Sequence, residues 1–402
     1  MGSYSELLRT SGVARIIAAQ LTARFPSGML SLAFLLHVEQ QTGSYGSAGL
    51  VLAATSIGQA VAGPLTSRLM GRLGMRPVLI ATLVVCVTAI VAIGVLPLTV
   101  PLYMAIGLIA GLANPPVQPA VRTIYPKMVN SRQLTPLFSL DASAQEIIWV
   151  VGPVVTTFVA IQVGTVWAIL LAAVLMVIGG IWFISSPELG RVRIPRSKRR
   201  FGVVLGRPPV LLATVVGFLL IGACAAIEAG VVAVFGHDGA EAGIVLAIFS
   251  VGSLAGGLFL GHVPIGPWST ARRMFIVFAG TALAAGLMDF WWLSITLFIA
   301  GIGIAPALAV LFAIVSASVK FSDTAEAYGW VGTGQLIGAA LGSALAGFLI
   351  DSNGPQGAFW AAAALAFLGF LVPMLGRRWH PDLRGRDASP IPDTEAVPVQ
   401  PS

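Results

Sequence analysis

The stretch AGLVLAATSIGQAVAG at residues 48–63 returns, 194 residues further on, as AGIVLAIFSVGSLAGG at residues 242–257. Ala48, Gly49, Val51, Leu52, Ala53, Ser56, Gly58 and Gly63 reappear as Ala242, Gly243, Val245, Leu246, Ala247, Ser250, Gly252 and Gly257. Later pairs stand 190 residues apart: Gly111 with Gly301, Pro116 with Pro306, Gln145 with Gln335, and Gly152 with Gly342. A long-period repeat of this kind means that one structural unit is used twice. The apolar runs holding the first pair, 47–69 and 241–262, show no period of two, which argues for helices over barrel strands. Each is long enough to cross a bilayer core of about 30 Å.

The rest of the chain has the same character. Of 402 residues, 57% are hydrophobic and 10% are charged, with a mean hydropathy of +0.91. A soluble domain carries roughly 25% charged residues, so that class is excluded. A disulfide scaffold is excluded as well, because the two cysteines, Cys86 and Cys224, both lie inside apolar runs. Twelve runs are predicted to span: 14–37, 47–69, 77–97, 99–121, 135–160, 164–185, 208–234, 241–262, 272–288, 290–318, 325–350 and 356–376. The expected fold is an all-α membrane protein of twelve transmembrane helices in two parallel six-helix pseudo-repeats. Residues 1–13 form an N-terminal segment without a signal-peptide pattern. Residues 14–186 and 208–376 form the halves, 187–207 a basic linker, and 377–402, with its prolines and mixed charge, a disordered tail.

The charges orient the molecule. Of 23 Lys and Arg residues, all but Arg24 fall in the terminal segments or the even-numbered connections. The odd-numbered connections carry Glu39, Asp238, Glu241, Asp289 and Asp351 instead. Basic loops stay inside, so both termini are expected in the cytoplasm and the protein in the inner or plasma membrane. The cluster at 191–207 is short and has Phe201 as its one aromatic, so it reads as a topology determinant lying on anionic lipid headgroups, not as a nucleic-acid site. His37 and His262 lie near span ends without metal-ligand spacing, and no metal or cofactor is expected.

The connection between spans 2 and 3 reads SRLMGRLGMR at residues 67–76. It resembles the G-x-L-x-D-R-x-G-R-R loop of the major facilitator superfamily: the basic residues Arg68, Arg72 and Arg76 and the turn glycine Gly74 match. Ser67 replaces the leading glycine and Gly71 the acid, so no clamp through that acid is implied. The sequence GLANPP at 111–116, with Asn114, Pro115 and Pro116, and the span-5 pair Gly152-Pro153 resemble export-type members. Ile148 and Val155 stand where the antiporter motif has small residues, and Gly107 where drug/proton antiporters carry a span-4 arginine. The resemblance implies a monomeric secondary transporter with no cofactor, whose halves rock about a central site.

Charges within the bilayer cost about 2.5–3.5 kcal/mol each on insertion scales, which singles out Arg24, Asp141, Glu146 and Glu228. Arg24 and Glu146 both lie about 15 Å from the basic side and are expected to pair, as a static bridge or as a switch that changes partners. Asp141 is not on the face of Glu146 and is expected to meet Arg122 or Arg132. Glu228 has no basic residue within the second half's spans and reads either as a proton or cation site or as a hydrated residue near the outer mouth. Gln145 and Gln335 occupy matching repeat positions, and Asn114 and Gln118 flank the Pro115-Pro116 break. These four are candidates for a polar substrate or for bonds between helices.

No phosphate-binding loop, nucleophile–base set or metal cluster is visible, so a gradient-driven transporter is expected and an enzyme is not. The buried acids and the resemblance favour proton-coupled export of a small apolar or cationic compound. Import or exchange of a small polar metabolite is the alternative. A transport-inactive sensor or passive pore is favoured only by the missing acid at Gly71.

Overall fold

The computed structural model describes residues 2–197, 199–236, 241–261, 263–385 and 388–393. Lys198, Asp238, His262 and Arg386, which enter the charge and metal readings above, lie outside the described residues, as do residues 394–402 of the expected tail. The first half comprises α1 (Gly2–Arg9), α2 (Val13–Arg24), α3 (Pro26–Thr42), α4 (Tyr45–Leu73), α5 (Met75–Val95), α6 (Val100–Leu112), α7 (Val117–Met128), α8 (Ser131–Gln162) and α9 (Thr165–Ser185). A short α10 (Pro187–Arg191) opens the linker. The second half comprises α11 (Pro208–Phe235), α12 (Glu241–Leu260), α13 (Ser269–Ala284), α14 (Phe290–Ser318), α15 (Thr324–Asn353) and α16 (Gln356–Leu375).

Taken with α2–α3 and α6–α7 as one span each, these are the twelve expected crossings. Eleven are long and apolar enough to cross a membrane, and α13, at 16 residues, is the short one. Both interrupted spans break at proline. Pro26 lacks the N–H that would continue α2, and the Pro115-Pro116 pair separates α6 from α7. Pro306, the repeat partner of Pro116, is preceded by Ala305, and α14 runs through it unbroken. One proline is absorbed and two in succession are not.

The repeat is visible in how the helices touch. A Cβ on Gly111 would fall 2.1 Å from the Thr55 carbonyl oxygen, and one on Gly301 would fall 2.2 Å from that of Phe249. Gly58 likewise abuts the Leu108 carbonyl, and Gly252 abuts that of Phe298. The same small residues bring α4 onto α6 in one half and α12 onto α14 in the other. Small residues let backbones approach in lipid, where no hydrophobic force drives helices together.

The halves share a core at one end only. Tyr125 and Phe138 of the first half and Phe312, Tyr328 and Val331 of the second lie in one continuous buried cluster. The far part of the first half has a separate core around Phe34, Tyr103 and Ile169. The shared core lies at the end that carries the basic loops, called here the basic end.

The tail departs from expectation. Residues 377–385 and 388–393 are ordered: Arg377–Trp379 is a 3-10 turn, the Leu383 N–H donates to the Ile265 carbonyl (2.9 Å), and Ile391 forms a parallel bridge with Lys320. The Phe321 N–H donates to the Ile391 carbonyl (3.0 Å), and the Ile391 N–H to that of Val319 (2.9 Å). Proline-rich sequence cannot fold alone, but the α14–α15 connection has unpaired backbone groups that an extended strand satisfies.

Candidate functional site

Helices α4 and α15 show where the halves meet and where they part. At the basic end, the Thr333 hydroxyl donates to the Ala60 carbonyl across the interface (2.7 Å), and Gly63 packs on Gly329. On the same face of α15, two and three turns further on, Ala340 and Ala344 are exposed. On the matching face of α4, Ser56 and Gly49 are exposed too. A face buried at one end and bare at the other describes two halves joined at the basic end and splayed at the opposite end, with a cavity between them.

The closure at this end is polar, and its acids, Glu326 and Asp323, are buried. Arg68 donates to Glu326 on α15 (2.5 Å) and to the backbone carbonyl of Arg199 in the linker, and its guanidinium lies 5.8 Å from the Phe201 ring. The Gly202 N–H donates to the other Glu326 oxygen (2.7 Å), and the Ser197 hydroxyl donates to Asp323 (2.5 Å). One layer deeper, the Ser139 hydroxyl on α8 donates to the Gly257 carbonyl on α12 (2.6 Å).

Above this floor lies the charged cluster of the first half. Asp141 is fully buried and accepts from Gln20 (3.0 Å), Arg24 (3.4 Å), Tyr125 (3.2 Å) and Arg122 (3.0 Å). Arg24 also donates to Gln20 (2.7 Å) and to Gln145. The Arg122 guanidinium stacks on Phe312 of α14, 3.4 Å from the ring centroid. With its amide turned so that the oxygen faces Arg122, Gln118 accepts from both terminal nitrogens at 2.6 and 2.8 Å. Arg122 thus belongs to the charge cluster of one half and to the aromatic core of the other.

Glu146 faces a different way. It accepts a hydrogen bond from the Ser253 hydroxyl of α12 at 3.0 Å, and that hydroxyl accepts in turn from the Ala305 N–H (3.2 Å). Glu228 on α11 is exposed and lies within electrostatic reach of Glu146. Neither acid has a basic partner among the described residues.

A family model described as Major Facilitator Superfamily matches residues 16–263 and 225–398. The chain belongs to the major facilitator superfamily. No curated protein matches it by sequence. Among solved structures it is similar to the human organic anion transporter MFSD10 (TETRAN), at 16% identity and a TM-score of 0.70, over 90% of this chain and 98% of that one. It is also similar to a bacterial homologue of the iron transporter ferroportin in an outward-facing state, at 11% identity and 0.72, over 91% and 98%. A third is the proton:xylose symporter XylE bound to 6-bromo-6-deoxy-D-glucose, at 12% and 0.68, over 94% and 98%. At these identities the structures establish the fold, and the family match makes this superfamily member a multi-pass membrane transporter.

Several expectations for this superfamily member need correction or completion. Arg24 does not pair with Glu146; it meets Asp141, Gln20 and Gln145. Depth along a helix sets a level but not a direction, and a long arginine side chain reaches the acid about 7.5 Å lower on α8. Asp141 meets Arg122 and not Arg132. Gln335 packs over Gly217, and its amide nitrogen has no partner. Asn114 is half-buried in the Pro115-Pro116 break, Gly152 packs on Gly28, and Pro153 is carried inside α8. Gly74 takes φ +94° at the α4–α5 turn, Arg72 is exposed, and Arg76 donates to the Ile184 (3.1 Å) and Ser186 (3.3 Å) carbonyls at the end of α9.

The sequence reading missed Glu326, Ser253 and Phe312. Glu326 has the look of an ordinary acid in the first turn of a helix. Ser253 could have been noticed, because it interrupts an apolar run one turn from Gly257. Phe312 has no signal in the sequence.

Proposed function

We propose that the protein exports a small apolar or cationic compound by alternating access, driven by protons entering from the splayed end. The basic end then faces the cytoplasm, as the distribution of Lys and Arg supports. The observation that carries this reading is Glu146. It is a carboxyl at the bottom of the cavity, held across the interface by one serine hydroxyl, with the nearby arginine charge already engaged by Asp141. Protonation removes its charge and weakens its grip on Ser253, and so favours separation of α8 from α12. Substrate binding from the cytoplasmic side promotes loss of that proton. Glu228, bare to the cavity and without a basic partner, supplies the negative charge that holds a cationic substrate.

The test is proton flux in proteoliposomes holding an internal pH dye, screened against a compound panel under an imposed proton gradient. Substrate-dependent flux should appear with the unaltered chain and vanish with Glu146→Gln. Full flux in the variant sinks the coupling role of Glu146.

The alternative, import or exchange of a small polar metabolite, draws support from the guanidinium-and-amide wall of Arg24, Gln145 and Gln118. Exchange of a labelled polar substrate without proton movement would favour it. The sensor reading rested on the missing acid at Gly71. It loses its ground because Arg68 and Glu326 supply a clamp by another route.

A further inference from the structure

The loop arginine Arg76 begins a stripe along α5 that continues through Ile80, Val84, Val87 and Thr88. Those four residues form one wall of a groove of about 490 Å³, with Ile181 and Ile184 of α9 in the other wall. Ile80 is 50% exposed, and Val84 and Ile181 are 58% exposed, so the groove opens sideways, away from the partner half. From Arg76 to Thr88 is about 18 Å along the helix, roughly half the bilayer core. The groove therefore runs from the membrane surface at the basic end to the mid-plane, the reach of one acyl chain in one leaflet.

Its mouth is positively charged. The Arg76 guanidinium is fixed by the Ile184 and Ser186 carbonyls at the end of α9, yet the residue is exposed and has no carboxylate partner among the described residues. Glu188, the nearby acid of α10, is engaged by Arg15. Arg72 and Arg191 are exposed on the same side of the molecule. The acid expected in this loop from the family pattern is Gly71, against which the linker backbone at Pro195 packs. Loss of that acid leaves Arg72 and Arg76 without a neutralising neighbour.

The geometry points to a binding site for one anionic phospholipid, its acyl chain in the α5–α9 groove and its phosphate at Arg76. A zwitterionic lipid has the same chain but gains less at the mouth. One basic residue at an anionic membrane surface gives about a fivefold preference.

The test uses the full-length protein in nanodiscs of phosphatidylcholine with a graded fraction of phosphatidylglycerol of the same chain length, followed by native mass spectrometry of retained lipid. The unaltered protein should retain phosphatidylglycerol about fivefold over phosphatidylcholine, less so in high salt. Arg76→Gln should bring the two lipids to parity. Val84→Trp, which fills the groove from an exposed position and leaves the Arg76 bonds intact, should reduce retention of both, and it carries the test if Arg76→Gln does not fold. Arg378→Gln, an exposed arginine elsewhere at the basic end, should change nothing. The proposal fails if the two lipids are retained equally by the unaltered protein. It fails also if the preference survives Arg76→Gln, if Val84→Trp leaves retention of both lipids unchanged, or if free glycerol phosphate raises thermal stability as much as the lipid does.

Discussion

Asp141 shows how one residue can hold several buried charges. Its carboxylate faces two guanidinium groups, Arg24 and Arg122, both at most 10% exposed, together with the hydroxyl of Tyr125 and the amide of Gln20. Removing one partner of a buried pair leaves an uncompensated charge and costs about 3–5 kcal/mol. Asp141→Asn should therefore lower the unfolding midpoint of the purified protein sharply, and adding Arg122→Gln should recover part of the loss. A midpoint unchanged in the single variant would show that the cluster is hydrated and held by other means. Two members of this cluster, Arg24 and Asp141, were legible in the sequence because a charge in an apolar run has to be explained, whereas Gln20 and Tyr125 gave no such signal. The Asp141–Arg122 pair was among the expected ones, but the partner of Arg24 was not legible. Hydropathy fixes how deep a residue sits, whereas rotation about the helix axis depends on which neighbours the helix packs against.

At the scale of the helices, the spans and the repeat were written in hydropathy and in glycine spacing, and the structure explains why the repeat kept those glycines. Gly111→Val should destabilise by about 1–3 kcal/mol or more, because the new side chain meets the Thr55 backbone. Gly347→Ala, in a helix interior with open space around it, should be neutral or stabilising by about 0.5–1 kcal/mol. Thermal unfolding of the two variants side by side checks both, and equal losses would refute the packing account. The docked tail was beyond the reach of sequence because its partners are backbone groups exposed only once α13, α14 and α15 are in place. His380 ties that tail down, its Nε2 lying 2.9 Å from the Thr270 hydroxyl, and burial holds its imidazole below the ordinary value of 6.5. A folded value below the unfolded one means that docking is fully supported above about pH 6.5 and weakens as the pH falls through the lowered value. Hydrogen exchange at Leu383 and Ile391, corrected for the intrinsic rate, should therefore be faster near pH 5 than near pH 7.5. His380→Gln should remove that difference, and its persistence in the variant would exclude His380 as the cause.

Across the whole molecule, the halves are joined where the basic loops lie, and the join has four parts. These are the Arg68–Glu326 clamp with its linker contacts, the backbone-to-hydroxyl contacts at Ala60 and Gly257, the Arg122–Phe312 stack deeper in, and the Glu146–Ser253 hydrogen bond between α8 and α12. Alternating access requires these contacts to break together while the splayed end closes, so weakening one of them should shift the population of states rather than abolish either state. Glu326 is the most direct lever, because it accepts from both Arg68 and the Gly202 N–H. Hydrogen bonds to a charged group are worth about 1.5–3 kcal/mol, so Glu326→Gln should move the equilibrium about 10- to 150-fold toward the state closed at the far end. Ser56 and Ala340, exposed on opposite walls of the cavity, are suitable reporters. With spin labels on Ser56→Cys and Ala340→Cys, in a chain from which Cys86 and Cys224 have been removed, the distance distribution should shift to shorter values when Glu326→Gln is added. Because the measurement needs no substrate, it separates the gate from the transported compound. A distribution that Glu326→Gln leaves unmoved would mean that the stack and the hydroxyl contacts hold the basic end shut without the Arg68–Glu326 clamp.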